Sequence, residues 1–221
     1  MGTGSHSSIL KATAWTGSSQ VAVLAMGLVR SKLTAVLLGP SGVGLTGTYL
    51  TIAGFIGGIA ELGIPPSGVR AVAEACATGD EAKVRRTAAA LRAAMLATGV
   101  VGMVVALALA YPVSVMTFGS RERWVDLALL SVTVLLANYA SGQRAFLQGA
   151  QRVRDVARCQ VVSTFAGLVV GGGLLWAFGE RGIVAALVAN GVAAVVVFGR
   201  ETRRGGGSVA AGASWGEALR D

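Results

Sequence analysis

The chain has 221 residues, of which 53% are hydrophobic and only 14% charged, and its mean hydropathy is +0.66. An ordinary soluble domain is about one-quarter charged, so this composition excludes a water-facing globular surface. The formal net charge of +8 would suggest nucleic acid in a soluble protein. Here the cations gather beside apolar segments, and no nucleic-acid partner is expected.

The apolar residues fall into runs of about 20, the length that carries a helix across a hydrocarbon core of about 30 Å. The sequence therefore predicts an all-α integral membrane protein, one bundle of about six transmembrane helices with both termini cytoplasmic. Residues 1–8 form a polar leader whose His6, the single histidine, has no partner for a metal site. The bundle occupies 9–199. Its first span, 9–38, is prolonged past Arg30 and Lys32 to a turn signal at Gly39-Pro40-Ser41-Gly42. It is too long for a signal peptide and reads as an uncleaved helix. The second span, 42–64, stops at Pro65-Pro66.

Residues 69–92 mix alanines with Arg70, Glu74, Asp80, Glu81, Lys83, Arg85, Arg86 and Arg92. They read as a helical cytoplasmic connector into a third span, 93–111, which a loop from Pro112 to Arg123 follows. The fourth span is 124–141. A second basic connector, 143–158, holds Arg144, Arg152, Arg154 and Arg158 against Asp155. The fifth span is 159–178, Gly179-Glu180-Arg181-Gly182 is a tight turn, and the sixth span is 183–198. Residues 200–221 form a basic, Gly-rich cytoplasmic tail.

Positively charged loops stay in the cytoplasm. With the N-terminus inside, fourteen Lys and Arg lie on the inner side, three (Arg121, Arg123, Arg181) on the outer side, and Arg30 and Lys32 within a span. That bias sets the orientation, and anionic lipid headgroups attract the same face. Cys76 and Cys159, both beside the basic segments, read as free thiols.

Gly42-Val43-Gly44-Leu45-Thr46-Gly47 matches the G-x-G-x-x-G pattern. A dinucleotide site requires a preceding strand in a βαβ unit, which a membrane helix cannot supply, so no cofactor is expected. Gly54 with Gly58, and Gly167 with Gly171, place small residues on one helix face, where backbones approach closely or slide.

Arg30 and Lys32 carry the most information, because a charge at mid-helix costs about 2.5 to 3.5 kcal/mol and usually serves an interior site. Two residues apart, they point to nearly opposite faces. Arg30 shares a stripe with Gly27, Ser19 and Thr16; Lys32 lies nearer the outer end, within snorkelling reach of the interface. Glu61, closing the second span, reads either as a hydrated boundary acid or as a proton or cation carrier. Ser131, Asn138 and Ser141 form a polar stripe on the fourth span, Gln160, Ser163, Thr164 and Gly167 another on the fifth, and Asn190 stands in the sixth. Hydrogen bonding between helices is the simplest role for these groups. The spans hold no nucleophile and base pair, acidic dyad or metal-ligand cluster, so the chain is not expected to be an enzyme.

Leu10-Lys11-Ala12, Ala14-Trp15-Thr16, Arg30-Ser31-Lys32-Leu33 and Leu38-Gly39-Pro40-Ser41-Gly42-Val43-Gly44 resemble the start of bacterial Wzx-type O-antigen translocases. These are lipid-linked oligosaccharide flippases of the multidrug/oligosaccharidyl-lipid/polysaccharide exporter superfamily. The resemblance continues through Gly63-Ile64 and Gly68-Val69-Arg70 to Ala73-Glu74. It weakens in the third and fourth spans and returns at 146–155, 179–186 and Ser214-Trp215. It implies transport of an undecaprenyl-pyrophosphate-linked oligosaccharide across the bacterial inner membrane through a cationic cavity. Lys32 falls on a lysine of the family pattern, and Arg70 matches a basic position after the second span. Arg30, Lys32 and Arg70 are then the substrate-binding candidates, with Glu61, Asn138 and Asn190 as coupling or cavity groups. Family members carry two related bundles, so the resemblance covers one half. The partners it implies are the lipid-linked substrate, membrane lipids, and a second six-helix bundle or another copy of the chain. Two rival readings remain: a non-transporting scaffold of a glycan-assembly complex, and a proton-coupled drug exporter dependent on Glu61.

Overall fold

A computed structural model describes the backbone of residues 3–119 and 123–208, and the side chains of residues 17–119 and 123–203. His6, Lys11, Thr16, Arg121, Arg204, Trp215 and Arg220 lie outside the described side chains. All the described elements are helical: α1 (Thr3–Glu61), α2 (Ile64–Ala77), α3 (Glu81–Phe118), α4 (Trp124–Gly149), α5 (Val153–Phe178), a 3-10 turn (Gly179–Arg181) and α6 (Gly182–Ser208). Four described stretches are long and apolar enough to cross a membrane: Gly17–Glu61, Glu81–Phe118, Trp124–Gly149 and Val153–Arg203. Large apolar side chains face outward, among them Leu28, Val36, Phe55, Met116 and Trp176, as a hydrocarbon solvent requires.

Helix α1 is two limbs rather than one rod. Gly39 adopts φ 71° and ψ −172°, a region open to glycine because it lacks Cβ. Pro40 then opens the next limb with its φ already helical. Close approaches give the direction of the two limbs and of α3 to α6. α3 and α4 are antiparallel, with Gly142 against Met95 and Gly99 against Leu135. α4 and α6 are parallel, Gly191 meeting Leu136 and Gly199 meeting Gln143; α5 and α6 are antiparallel, Gly171 meeting Ala186. The limb 17–38 runs beside α5 in the same direction, with Ser19 near Ala157 and Val161, and Arg30 and Leu33 near Gly167 and Gly171. The limb 40–61 returns against α3: Ile52 and Ala53 share a pocket with Ala110 and Val113, and Ala60 meets Gly102. The expected turn at Gly39 is therefore a hairpin.

Five boundaries differ from the sequence expectation. Pro65 and Pro66 start α2 instead of ending the second span, because proline suits the first turn of a helix. The break that ends the preceding limb lies at Leu62 and Gly63, with φ of 47° and 70°. The single connector expected over 69–92 divides at Thr78-Gly79-Asp80. There Asp80 caps α3, accepting from the backbone N–H of Ala82 at 2.8 Å and Lys83 at 3.3 Å. The third helix does not stop at Tyr111. It runs through Pro112 to Phe118, where Gly119 at φ 63° ends it. Finally, α4 continues about two turns past Ser141 to Gly149, and α6 continues past Phe198 to Ser208, their arginines extending the helices into the expected connector and tail.

Two apolar clusters hold the bundle. One, at the end of the basic connectors, joins Val72, Leu91, Met95, Phe146, Leu147 and Phe198. The other, at the opposite end, joins Tyr49, Leu127, Leu130, Leu175, Ile183 and Leu187. Between them lies a level at which the core turns polar around Asn138.

Candidate functional site

The polar level is built from five segments. Asn138 of α4 is 1% exposed and faces Gly99 and Gly102 of α3. Neither its Oδ1 nor its Nδ2 has a hydrogen-bond partner. Asn190 of α6 presses its Oδ1 on Gly167 of α5, where any Cβ would collide with it. Arg30 lines a cavity of about 10 Å³ with Gly167, Gly171 and Leu33, roughly the room one water needs. Because Gly191 meets Leu136, Asn190 and Asn138 lie within about one helical turn of each other along the bundle axis. Arg30, Asn138 and Asn190 thus share one level.

Arg30 is half-buried, and among the described residues no carboxylate pairs with it. Its own backbone carbonyl accepts from the Thr34 hydroxyl at 2.9 Å. Lys32 points away from this level and is exposed, as a two-residue separation demands. It interrupts an apolar row made by Leu24, Leu28 and Val36, which are 68%, 73% and 75% exposed. Arg70 is exposed on α2, whose buried face is Gly68, Val72 and Ala75. Glu61 is half-buried at the end of its limb, next to Ala60, which touches Gly102. The structure brings Arg30 and Asn190 together at Gly167, sets Asn138 at about the same depth but against α3, and leaves Lys32 and Arg70 exposed.

The expected interhelical hydrogen bonds of the polar stripes are replaced by bonds one turn back. Ser131 donates to the Ala128 carbonyl at 2.6 Å, and Ser163 and Thr164 both donate to the Gln160 carbonyl, at 3.1 and 2.7 Å. A hydroxyl reaches its own helix at no packing cost. The two glycine pairs also differ. Gly167 and Gly171 sit tightly against α6, whereas no neighbour lies within 4 Å of a Cβ built on Gly54 or Gly58, so the latter pair makes no close contact among the described residues.

Three arginines that the charge count treats only as loop charge do converge. Arg92 of α3 and Arg200 and Arg203 of α6 line a cavity of about 340 Å³ with Tyr139 and Gln143 of α4. Their positions just outside apolar runs were visible in the sequence; their convergence was not. No group of three or more His, Cys, Asp or Glu able to hold a metal occurs among the described residues.

Residues 9–198 match the family described as polysaccharide biosynthesis protein, which takes in all six bundle segments. The chain belongs to that family. The polysaccharide biosynthesis family covers flippases and related exporters, whose members are transporters and not enzymes. Membership and the apolar helices together make the chain a multi-pass membrane protein. No curated protein and no solved structure matches the chain.

Proposed function

We propose that the chain is one bundle of a flippase that moves an undecaprenyl-pyrophosphate-linked oligosaccharide, an O-antigen or related repeat unit, from the inner to the outer leaflet of the bacterial inner membrane. Family membership over residues 9–198 is the observation that carries this reading. The segments at Gly17–Glu61 and Val153–Arg203 are 45 and 51 residues long, more than twice the roughly 20 needed for one crossing. Each reverses direction within, which supports six crossings with both termini in the cytoplasm.

The exposed row of Leu24, Leu28, Lys32 and Val36 supports a second bundle, or another copy of the chain, on that side. Lipid would meet an ammonium there at a cost of about 2.5 to 3.5 kcal/mol, whereas a polar cavity between bundles would not. In this arrangement Lys32 meets the pyrophosphate directly, Arg30 adds positive potential from the inner face of the same helix, and Arg70 stands near the cytoplasmic approach. Charge-assisted hydrogen bonds in a dry site are the natural means of holding such an anion. Deletion of the chain should leave lipid-linked oligosaccharide trapped in the inner leaflet while its synthesis continues. Normal outward transfer with lost polymer would favour a scaffold instead.

A further inference from the structure

The cavity between α3, α4 and α6 is unlike the polar level. It opens at the end of the bundle that carries the basic connectors, where Arg92 precedes an apolar run and Arg200 follows one. Three guanidinium groups line it and no carboxylate does. The nearest acid in sequence, Glu201, is held by Arg152 at 2.9 Å, and Arg152 also binds Asp155 at 2.6 Å. Among the described residues, therefore, no carboxylate pairs with Arg92, Arg200 or Arg203.

The floor is built for a polar ligand. Gln143 is 4% exposed, and its Oε1 is buried with no hydrogen-bond partner. Leaving such an acceptor unmatched is costly, and because Gln143 lines the cavity, a turn of its amide would offer the oxygen to a ligand hydroxyl. Gly199 keeps the floor open, since a Cβ there would stand 3.2 Å from Gln143 Nε2. Arg92 packs over the Phe146 ring at 5.9 Å, which fixes its stem and leaves edge donors for an anion.

We propose that this cavity is a binding site for the headgroup of an anionic phospholipid that carries free hydroxyls. The arginines hold the phosphodiester, and a headgroup hydroxyl donates to Gln143. Basic pockets between membrane helices at the cytoplasmic face recognise lipid phosphates in this way. The site requires no transport activity, so its failure would leave the flippase reading untouched.

The test uses the full chain in phosphatidylcholine nanodiscs, titrated with phosphatidylglycerol and read by native mass spectrometry. Arg200→Gln with Arg203→Gln should weaken phosphatidylglycerol retention about 30-fold, and Gly199→Val should abolish it. Removing Arg86 and Arg154, exposed residues outside the cavity, should change little. Equal loss in that control pair would reduce the effect to general attraction by a basic face and overturn the site. So would equal retention of phosphatidylcholine. Displacement by inorganic pyrophosphate as readily as by phosphatidylglycerol would assign the arginines to a soluble or substrate phosphate and overturn the lipid assignment. The Arg200→Gln, Arg203→Gln variant keeps the test decisive if Gly199→Val fails to fold.

Discussion

The Tyr49 hydroxyl donates to the Asp126 carboxylate at 2.8 Å and ties the returning limb of α1 to the first turn of α4. Tyr49 is fully buried, and its ring meets Phe118 edge-on at 6.0 Å. Arg123 covers the same Phe118 ring at 5.8 Å and reaches Glu180 at 3.3 Å. One cluster thus fastens the α1 hairpin, α3, α4 and the 3-10 turn at one end. Tyr49→Phe should destabilise the folded bundle by about 1–2 kcal/mol through the lost charge-assisted bond, seen as a lower unfolding midpoint in detergent. Glu180→Gln should cost no more than about 1 kcal/mol, because both ends of that ion pair are solvated.

Glycines offer a sharper contrast. A Cβ on Gly149 would lie 2.6 Å from the Val69 backbone oxygen, and backbone cannot step aside. Gly149→Ala should cost about 1–3 kcal/mol and loosen α2 from α4. Gly54→Ala meets nothing and should be neutral or raise stability by up to about 1 kcal/mol through helix propensity. Thermal unfolding of the two variants side by side checks both.

The glycines also show what the sequence could reveal. The apolar runs and the turns at Gly39 and Gly179 were legible because each is local. Gly54-x-x-x-Gly58 and Gly167-x-x-x-Gly171 are identical as patterns, and only the neighbour decides which one packs. The Asp80 cap was readable in principle from Thr78-Gly79-Asp80, but the many alanines around it favour uninterrupted helix. Arg30, Asn138 and Asn190 could be picked as polar intrusions, yet their common level depends on how α5, α6 and α4 interdigitate. The arginine cavity joins residues far apart in the chain, Arg92 with Arg200 and Arg203, and had no local signal.

Asn138 separates stability from function. Its buried amide has no partner, so Asn138→Leu should leave stability unchanged or raise it by up to about 3 kcal/mol. If the polar level serves transport, the same variant should slow oligosaccharide transfer. Unfolding and transfer measured on one preparation give the two answers.

The thiols report on packing. Burial pushes the Cys76 thiol above its ordinary pKa, so less thiolate is present at neutral pH than for a free cysteine. Alkylation of Cys76 should be slow at pH 7 and accelerate as the pH rises through and beyond 9. Cys159, buried in the apolar cluster, should stay unlabelled until the bundle unfolds. Mass spectrometry of maleimide-treated protein at a series of pH values reads both.

Transfer of fluorescent undecaprenyl-pyrophosphate oligosaccharide in inverted membrane vesicles tests the flippase reading most directly, comparing the natural chain with Arg30→Ala plus Lys32→Ala at equal abundance. Loss of the Lys32 contact and of the Arg30 charge behind it should slow transfer at least about tenfold. Transfer at an unchanged rate would contradict the assignment of these residues to the transport path.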